Sequence, residues 1–250
     1  MSRFDGKVAI VTGAAQGMGA SHARGLVNEG ARVLLCDLQD DAGEALAREL
    51  GEAARFQHLD VTHEPDWQAA VRAAEAWAGP VDILINNAAI IIYGGVEQQT
   101  PDDFRRILEV NLVGQFLGLH TVVPSMRARS RGSVVNIASV SGVMGFSGGI
   151  GYAASKFGVR GLTKGAALDL AGSGVRVNCV HPGTIRTPMA ETATDDLFAN
   201  QPIPRRGEPT EVSALVLFLA SDEASYCTGA EYLVDGGMVT GRVESSEKPG

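Results

Sequence analysis

The feature that most constrains this chain is a rhythm. Short, continuously apolar, β-branched runs alternate with longer amphipathic ones over almost its whole length. Residues 7–12, 32–37, 55–60, 81–86, 133–138 and 176–181 read as strands, and 231–234 as a seventh that ends at an Asp-Gly-Gly turn. A run apolar at every position must be covered on both faces, which is the condition of a parallel sheet. Between these runs the apolar spacing predicts helices over 18–29, 40–50, 64–78, 101–123, 152–170 and 209–219. Thr62 ahead of Pro65, and Thr100 ahead of Pro101-Asp102-Asp103, read as helix starts. The order implies an α/β fold: one Rossmann-like, doubly wound parallel sheet of about seven strands, helices on both faces, with right-handed crossovers.

No linker or repeat divides the chain, so residues 1–250 read as a single dinucleotide-binding catalytic domain. Two segments break the rhythm. Residues 184–208 are polar, with prolines at 188, 202 and 204, and read as a mobile excursion over a site. The hydrophilic tail 242–250 reads as disordered.

Charge narrows the partners. The formal net charge is −8 and the pI about 5.1, so phosphate backbones and anionic membranes are repelled, which argues against nucleic acid and membrane partners. Arg127, Arg129 and Arg131 are a local exception and read as a solvated helix end rather than a patch for an acidic partner. Cys36, Cys179 and Cys227 are odd in number and far apart. They read as buried reduced thiols in a cytoplasmic protein. The five histidines lack metal-ligand spacing. The first strand begins at once, which leaves no room for a signal peptide, and no apolar run approaches the length of a membrane span.

The first strand runs into Gly13-x-x-x-Gly17-x-Gly19, with Gln16 and Met18 inside the loop. Glycines there let a backbone approach a pyrophosphate, and the following helix offers N–H groups and a positive dipole end. Asp37 ends the second strand 18 residues after Gly19, where a carboxylate reads ribose hydroxyls and repels a 2′-phosphate. Leu38 and Gln39 follow it, with no basic residue, so NAD is expected over NADP. Asp60-Val61 and Asn86-Asn87-Ala88-Ala89 close the third and fourth strands, on the rim where such sheets bind ligands.

Tyr152 and Lys156 share a helix face, four residues apart, and Ser139 follows the fifth strand. Lowering a tyrosine pKa from about 10 to about 7 takes roughly 4 kcal/mol, within reach of a neighbouring ammonium and a cationic nicotinamide. Ser139 would hold the substrate oxygen, and Asn111 would anchor a water on the way to Lys156. Each residue alone is ordinary. Their order beside a nucleotide loop is not.

Together these motifs resemble the short-chain dehydrogenase/reductase family, from Thr12-Gly13 to Gly19, through Asp60-Val61 and Asn86-Asn87-Ala88, to the tetrad Asn111, Ser139, Tyr152, Lys156 and Pro182-Gly183. The resemblance covers roughly residues 3–240. It implies that Tyr152 and Lys156 also touch the cofactor, that Thr187 binds the nicotinamide carboxamide, that Ile185 donates a backbone contact, and that the protein is a homotetramer. More narrowly, residues 53–67, 159–164 and 228–237 are similar to bacterial 3α,20β-hydroxysteroid dehydrogenases. Ala89 stands where the family usually has glycine, which would strain the chain by about 1 kcal/mol if the position needs positive φ.

The expected activity is NAD(H)-dependent interconversion of a bulky, uncharged secondary alcohol with its ketone. The substrate side should be Ile90, Ile91, Ile92, Tyr93, Val143, Met144, Gly145, Phe146 and Met189, which offer no lysine or arginine. Two rivals remain: an NADPH-dependent 3-oxoacyl reductase, which would share the tetrad, and a non-catalytic dinucleotide-binding protein.

Overall fold

The computed structural model describes residues 2–241 and 243, so the expectation for the tail lies outside it apart from Val243. Seven parallel strands form one sheet in the order β3-β2-β1-β4-β5-β6-β7. They are β1 Val8–Thr12, β2 Arg32–Asp37, β3 Ala54–His58, β4 Ile83–Asn86, β5 Gly132–Ile137, β6 Val175–Pro182 and β7 Glu231–Val234. The reason for the continuous apolar runs is visible in β1. Ala9 and Val11 join Leu26, Val212 and Val216 on one face, while Val8 and Ile10 join Trp67, Leu119 and Val122 on the other. The first layer holds α1 Gly17–Asn28, α2 Asp40–Leu50 and α7 Pro209–Ala220. The second holds α3 Glu64–Ala78, α5 Gly114–Ala128 and α6 Ile150–Asp169. The chain leaves β1 towards β2 and β3, then returns to place β4 on the other flank of β1, and a crevice opens where the order reverses.

Three local expectations need correction. The helix expected over 101–123 continues to Ala128 as α4 Pro101–Leu108, a π-helical turn Glu109–Val113 and α5. Pro124 sits inside it, because Val122 and Met126 are buried and hold the last turn despite one missing N–H. At 28 residues with a mean hydropathy of 1.2 in its most apolar window, this run is long and apolar enough by composition to cross a bilayer; here α5 packs on α3, β4 and β5. Second, Thr62 does not cap α3. His63 occupies the cap position, and the Thr62 hydroxyl donates to Asp60 Oδ1 at 2.8 Å. Thr100 does cap α4, in a reciprocal box with Asp103.

Third, the arginine run is exposed at Arg127 and Arg131, as expected of a helix end, but it is also a lock. Arg129 and Arg131 reach the buried Asp82 at 2.7 and 2.9 Å, and Arg127 donates to the Asp169 carbonyl at 2.8 Å. Asp82 also accepts from Val8 N at 3.1 Å, so this cluster ties α5 to the start of β1. Residues 184–208, the polar excursion, carry several cross-ties. Asp195 is paired with Arg186 and with Arg206 (3.0 Å), Arg186 also meets Glu208 at 2.8 Å, and Ile203 N donates to the Gly236 carbonyl at 3.0 Å.

Candidate active site

A cavity of about 690 Å³ lies at the carboxyl ends of β1, β2, β4 and β5. Its floor is the turn from β1 into α1. A Cβ on Gly19 would sit 2.0 Å from the Gly13 carbonyl oxygen, so only glycine lets the loop fold back on itself there. Gly13 has φ +62°, and a Cβ on it would meet Ala88 Cα at 2.9 Å. Thr12 Oγ1 accepts from Asn87 N at 3.0 Å and Ala88 N at 3.1 Å, while Asn87 Nδ2 donates to the carbonyls of Thr12 and Gly13 at 2.9 and 3.2 Å. Asn87 therefore lines the cavity but uses its amide to fasten the glycine loop to the end of β4.

The N-terminus of α1 differs from those of α4 and α7. The latter have capping boxes with Asp103 and Glu211. Gln16 makes no side-chain cap to α1, and the first turn holds no acid. The opening N–H groups and dipole of α1 thus point into the cavity beside Gln16, Gly17 and Met18, the donor set a pyrophosphate takes. Asp37, at the end of β2, accepts from Ala15 N at 2.9 Å and from Gln39 N at 3.1 Å, which fixes its carboxylate on the cavity rim. Leu38, Asp60, Val61, Ala88 and Ala89 continue the wall. Among the described residues Ser130 is the one non-glycine with positive φ, so Ala89 has ordinary backbone and its replacement of glycine is without strain.

The opposite wall carries the acid/base candidates. Tyr152 and Lys156 occupy the first turns of α6, and both line the cavity. Lys156 is buried, donates to the Ile137 carbonyl at 2.9 Å and lies 5.5 Å from the centre of the Tyr152 ring. Burial pushes the Tyr152 phenol up to about 12, while the hydrogen bond to the Ser139 side chain pulls it down. Burial also lowers Lys156 to about 8. Desolvation is the largest effect on the phenol, with Tyr93 adding to it and the Ser139 hydrogen bond opposing it.

Ser139 caps the short turn after β5, its Oγ accepting from Ser141 N at 3.1 Å. Asn111 sits in the π turn, fully buried. Its Nδ2 donates to the Ile90 carbonyl (2.9 Å) and Ser155 Oγ (3.1 Å), and its Oδ1 accepts from Ile90 N (2.8 Å). These bonds fasten the Asn111 side chain to the loop after β4 and to α6.

Gly19, Pro182, Gly183 and Ile185 lie behind the cavity wall rather than on it. Gly183 is pressed on Asp235, and buried Ile185 accepts from the Thr187 hydroxyl at 3.3 Å, which leaves Thr187, Pro188 and Met189 facing inward. Of the apolar substrate-side set, Ile90 and Met189 line this cavity. Tyr93, Val143, Met144 and Phe146 stand exposed beside it, with the Phe146 ring edge-on to Tyr152 at 6.5 Å. The loops bearing Tyr93 and Phe146 are joined by Gly94 N donating to the Gly148 carbonyl at 2.9 Å. Sequence reasoning missed Arg106, Glu109 and Val110, which also line the cavity. Their spacing places them on one helix face, and that was the available signal.

This arrangement is a dinucleotide cradle opposed by a tyrosine–lysine–serine cluster. The chain belongs to the short-chain dehydrogenase/reductase family: a family model described as "Enoyl-(Acyl carrier protein) reductase" matches residues 13–239. Within it, the chain is 51% identical over 239 residues to a 3-alpha-(or 20-beta)-hydroxysteroid dehydrogenase of Mycobacterium tuberculosis, covering 96% of this chain and 92% of that one. It is 46% identical to trans-4-hydroxycyclohexanecarboxylate dehydrogenase of Sinomonas cyclohexanicum, over 94% and 93% of the two chains. A crystal structure of levodione reductase superposes with a TM-score of 0.92 at 35% identity, over 95% of this chain and 99% of that one.

Proposed function

We propose that this protein is an NAD(H)-dependent dehydrogenase that interconverts a bulky, uncharged cyclic secondary alcohol and its ketone. The observation that carries the reading is the buried Lys156 beside Tyr152 and Ser139, with exposed Phe146 and Tyr93 flanking the phenol. The named activities of the relatives, on hydroxysteroids and on a hydroxycyclohexanecarboxylate, support a cyclic secondary alcohol; that the substrate is uncharged rests on the apolar side chains beside Tyr152.

When bound, the nicotinamide supplies the hydride donor or acceptor and, oxidised, a positive charge. The chain supplies the rest. Gly13, Gln16, Gly17 and Met18 hold the pyrophosphate, Asp37 the adenosine ribose, Asp60 and Val61 the adenine side, and Thr187 the carboxamide. Ser139 holds the substrate oxygen. Tyr152 rests as a phenol, so in ketone reduction it donates its proton to that oxygen; in alcohol oxidation it must first ionise, and the phenolate then receives the hydroxyl proton. Because burial disfavours phenolate, the oxidation rate should rise with pH while reduction draws on the resting form. Exposed Phe116, Phe157 and Leu168 on α5 and α6, with Leu233 on β7, support self-association, in keeping with a cytoplasmic homotetramer.

The deciding measurement compares kcat/KM, with NAD, for a hydroxysteroid or cyclic terpene alcohol against a short 3-hydroxyacyl thioester. The cyclic alcohol should win by at least about tenfold, since matching apolar surface contributes about 25 cal/mol per Å² buried. A thioester that wins by that margin replaces this reading with a 3-oxoacyl reductase.

A further inference from the structure

Behind Ser139, on the side away from the cavity, lies a polar cluster that the reaction itself does not use. His181, in β6, is fully buried, and its Nδ1 lies 2.7 Å from the Ser139 carbonyl oxygen. A carbonyl only accepts, so Nδ1 carries the proton. Burial opposes a charged ring and lowers the His181 pKa, which leaves Nε2 a bare acceptor. Among the described residues that Nε2 has no hydrogen-bond partner, and it faces the Glu231 carboxylate of β7 at 3.5 Å. Glu231 is held in turn by Arg160 and Lys164 of α6, at 2.6 and 2.8 Å. Burial, the largest effect, decides the direction: the Ser139 carbonyl and the Glu231 carboxylate favour the charged ring, while Arg160 and Lys156 repel it. A buried imidazole with one orphaned nitrogen is an unfavourable choice for mere filling, because an apolar ring would leave nothing unpaired. What the position gains is the single N–H on Ser139.

The far end of the same turn is secured independently. Arg160 Nη1 donates to the Gly142 carbonyl at 2.8 Å, and a Cβ on Gly142 would come within 3.3 Å of the His181 ring. The turn Val140–Gly142 is therefore pinned at one end from β6 and at the other from α6. We propose that His181 is a positioning residue, whose Nδ1–H fixes the Ser139 backbone and so holds the Ser139 hydroxyl on the Tyr152 phenol. This rests on the acid/base reading of Tyr152 given above.

Two amides of equal polarity separate this role from simple packing. Asn places its Nδ2 near the imidazole Nδ1 and can restore the bond to Ser139; Gln reaches the Nε2 position and cannot. His181→Asn should stay within about threefold of wild-type kcat. His181→Gln should lose about ten- to hundredfold in kcat, the scale of a catalytic group misplaced by about 1 Å, with the KM for NAD unchanged. The groups facing the Tyr152 phenol are Ser139, Lys156 and Tyr93. Loosening Ser139 removes a hydrogen bond that favours ionisation, so the pH profile of alcohol oxidation in His181→Gln should move upward by about half a pH unit or more. NADH binding, read by fluorescence, verifies that each variant is folded. If Gln matches wild type, or Asn falls as far as Gln with an unshifted profile, the proposal is overturned. Tyr152→Phe, run alongside, separates the two ideas: if it stays active the acid/base reading fails, whereas if it is dead and the His181 variants are indifferent, only the positioning role fails.

Discussion

Replacing Asp37 by serine tests how the cavity chooses its dinucleotide. The carboxylate is about nine-tenths buried and fixed by two backbone N–H groups, so it cannot swing away from a 2′-phosphate. A pair of unit charges at about 4 Å repels by about 4 kcal/mol at an effective dielectric of about 20. The open cavity mouth and salt trim this to roughly 3 kcal/mol, or about 150-fold in kcat/KM in favour of NAD. Asp37→Ser removes the charge but also strips Ala15 N and Gln39 N of their acceptor. Losing those two bonds, partly replaced by water, should weaken NAD use by about tenfold. NADP use should rise as repulsion goes, without a phosphate site being created. The preference should therefore fall from above about 150-fold to below about tenfold, mostly through KM. Initial rates with each cofactor at one saturating alcohol measure it. Equal use of both cofactors by the unmutated enzyme, or an unchanged ratio in the serine variant, refutes the reasoning.

Other outcomes follow from the same coordinates. Tyr152→Phe should lower turnover by about a thousandfold while NADH binding stays within a few-fold, as measured by stopped-flow rates and fluorescence titration. Gly19→Ala should abolish dinucleotide binding or folding, because its methyl would lie 2.0 Å from the Gly13 carbonyl; calorimetry showing native affinity would contradict this. His22 is buried on Ser213 Oγ at 2.8 Å, with its pKa lowered to about 3. The unfolded chain binds a proton there below about 6.5 and the folded one does not until about 3, so stability falls as pH drops through that window by a few kcal/mol. His22→Asn, which keeps a polar contact to Ser213 without titrating, should flatten the acid limb of urea-midpoint curves taken at pH 7, 5 and 4.

The inner strands β1, β2 and β4 were legible because they are covered on both faces and carry long apolar runs. The edge strands β3 and β7 are partly exposed and were placed by the alternation with helices. Strand ends shifted by at most two residues. Gly13, Gly17, Asp37, Tyr152 and Lys156 were legible for a related reason: spacing along one turn or one helix face fixes their relative placement. What spacing could not convey was competition. Asn111 and Asn87 both look free in sequence, yet the loop carbonyl of Ile90 claims the amide of one and the end of β1 claims that of the other. The Tyr152 pKa depends on the depth of burial, which no motif encodes. The arginines after α5 read as solvent-facing because their partner, Asp82, lies some 45 residues away at the start of β4.

The bare N-terminus of α1 has a consequence for the life of the protein. α4 and α7 close their first turns with their own side chains; α1 does not, and in the function proposed here the dinucleotide completes its donors. The ligand is then a structural end-piece as well as a reagent. At a free concentration of 100 times its Kd it adds about 2.7 kcal/mol to folding stability. Resistance to heat and to proteases should therefore follow the supply of dinucleotide, and a starved cell would clear this enzyme faster than a replete one.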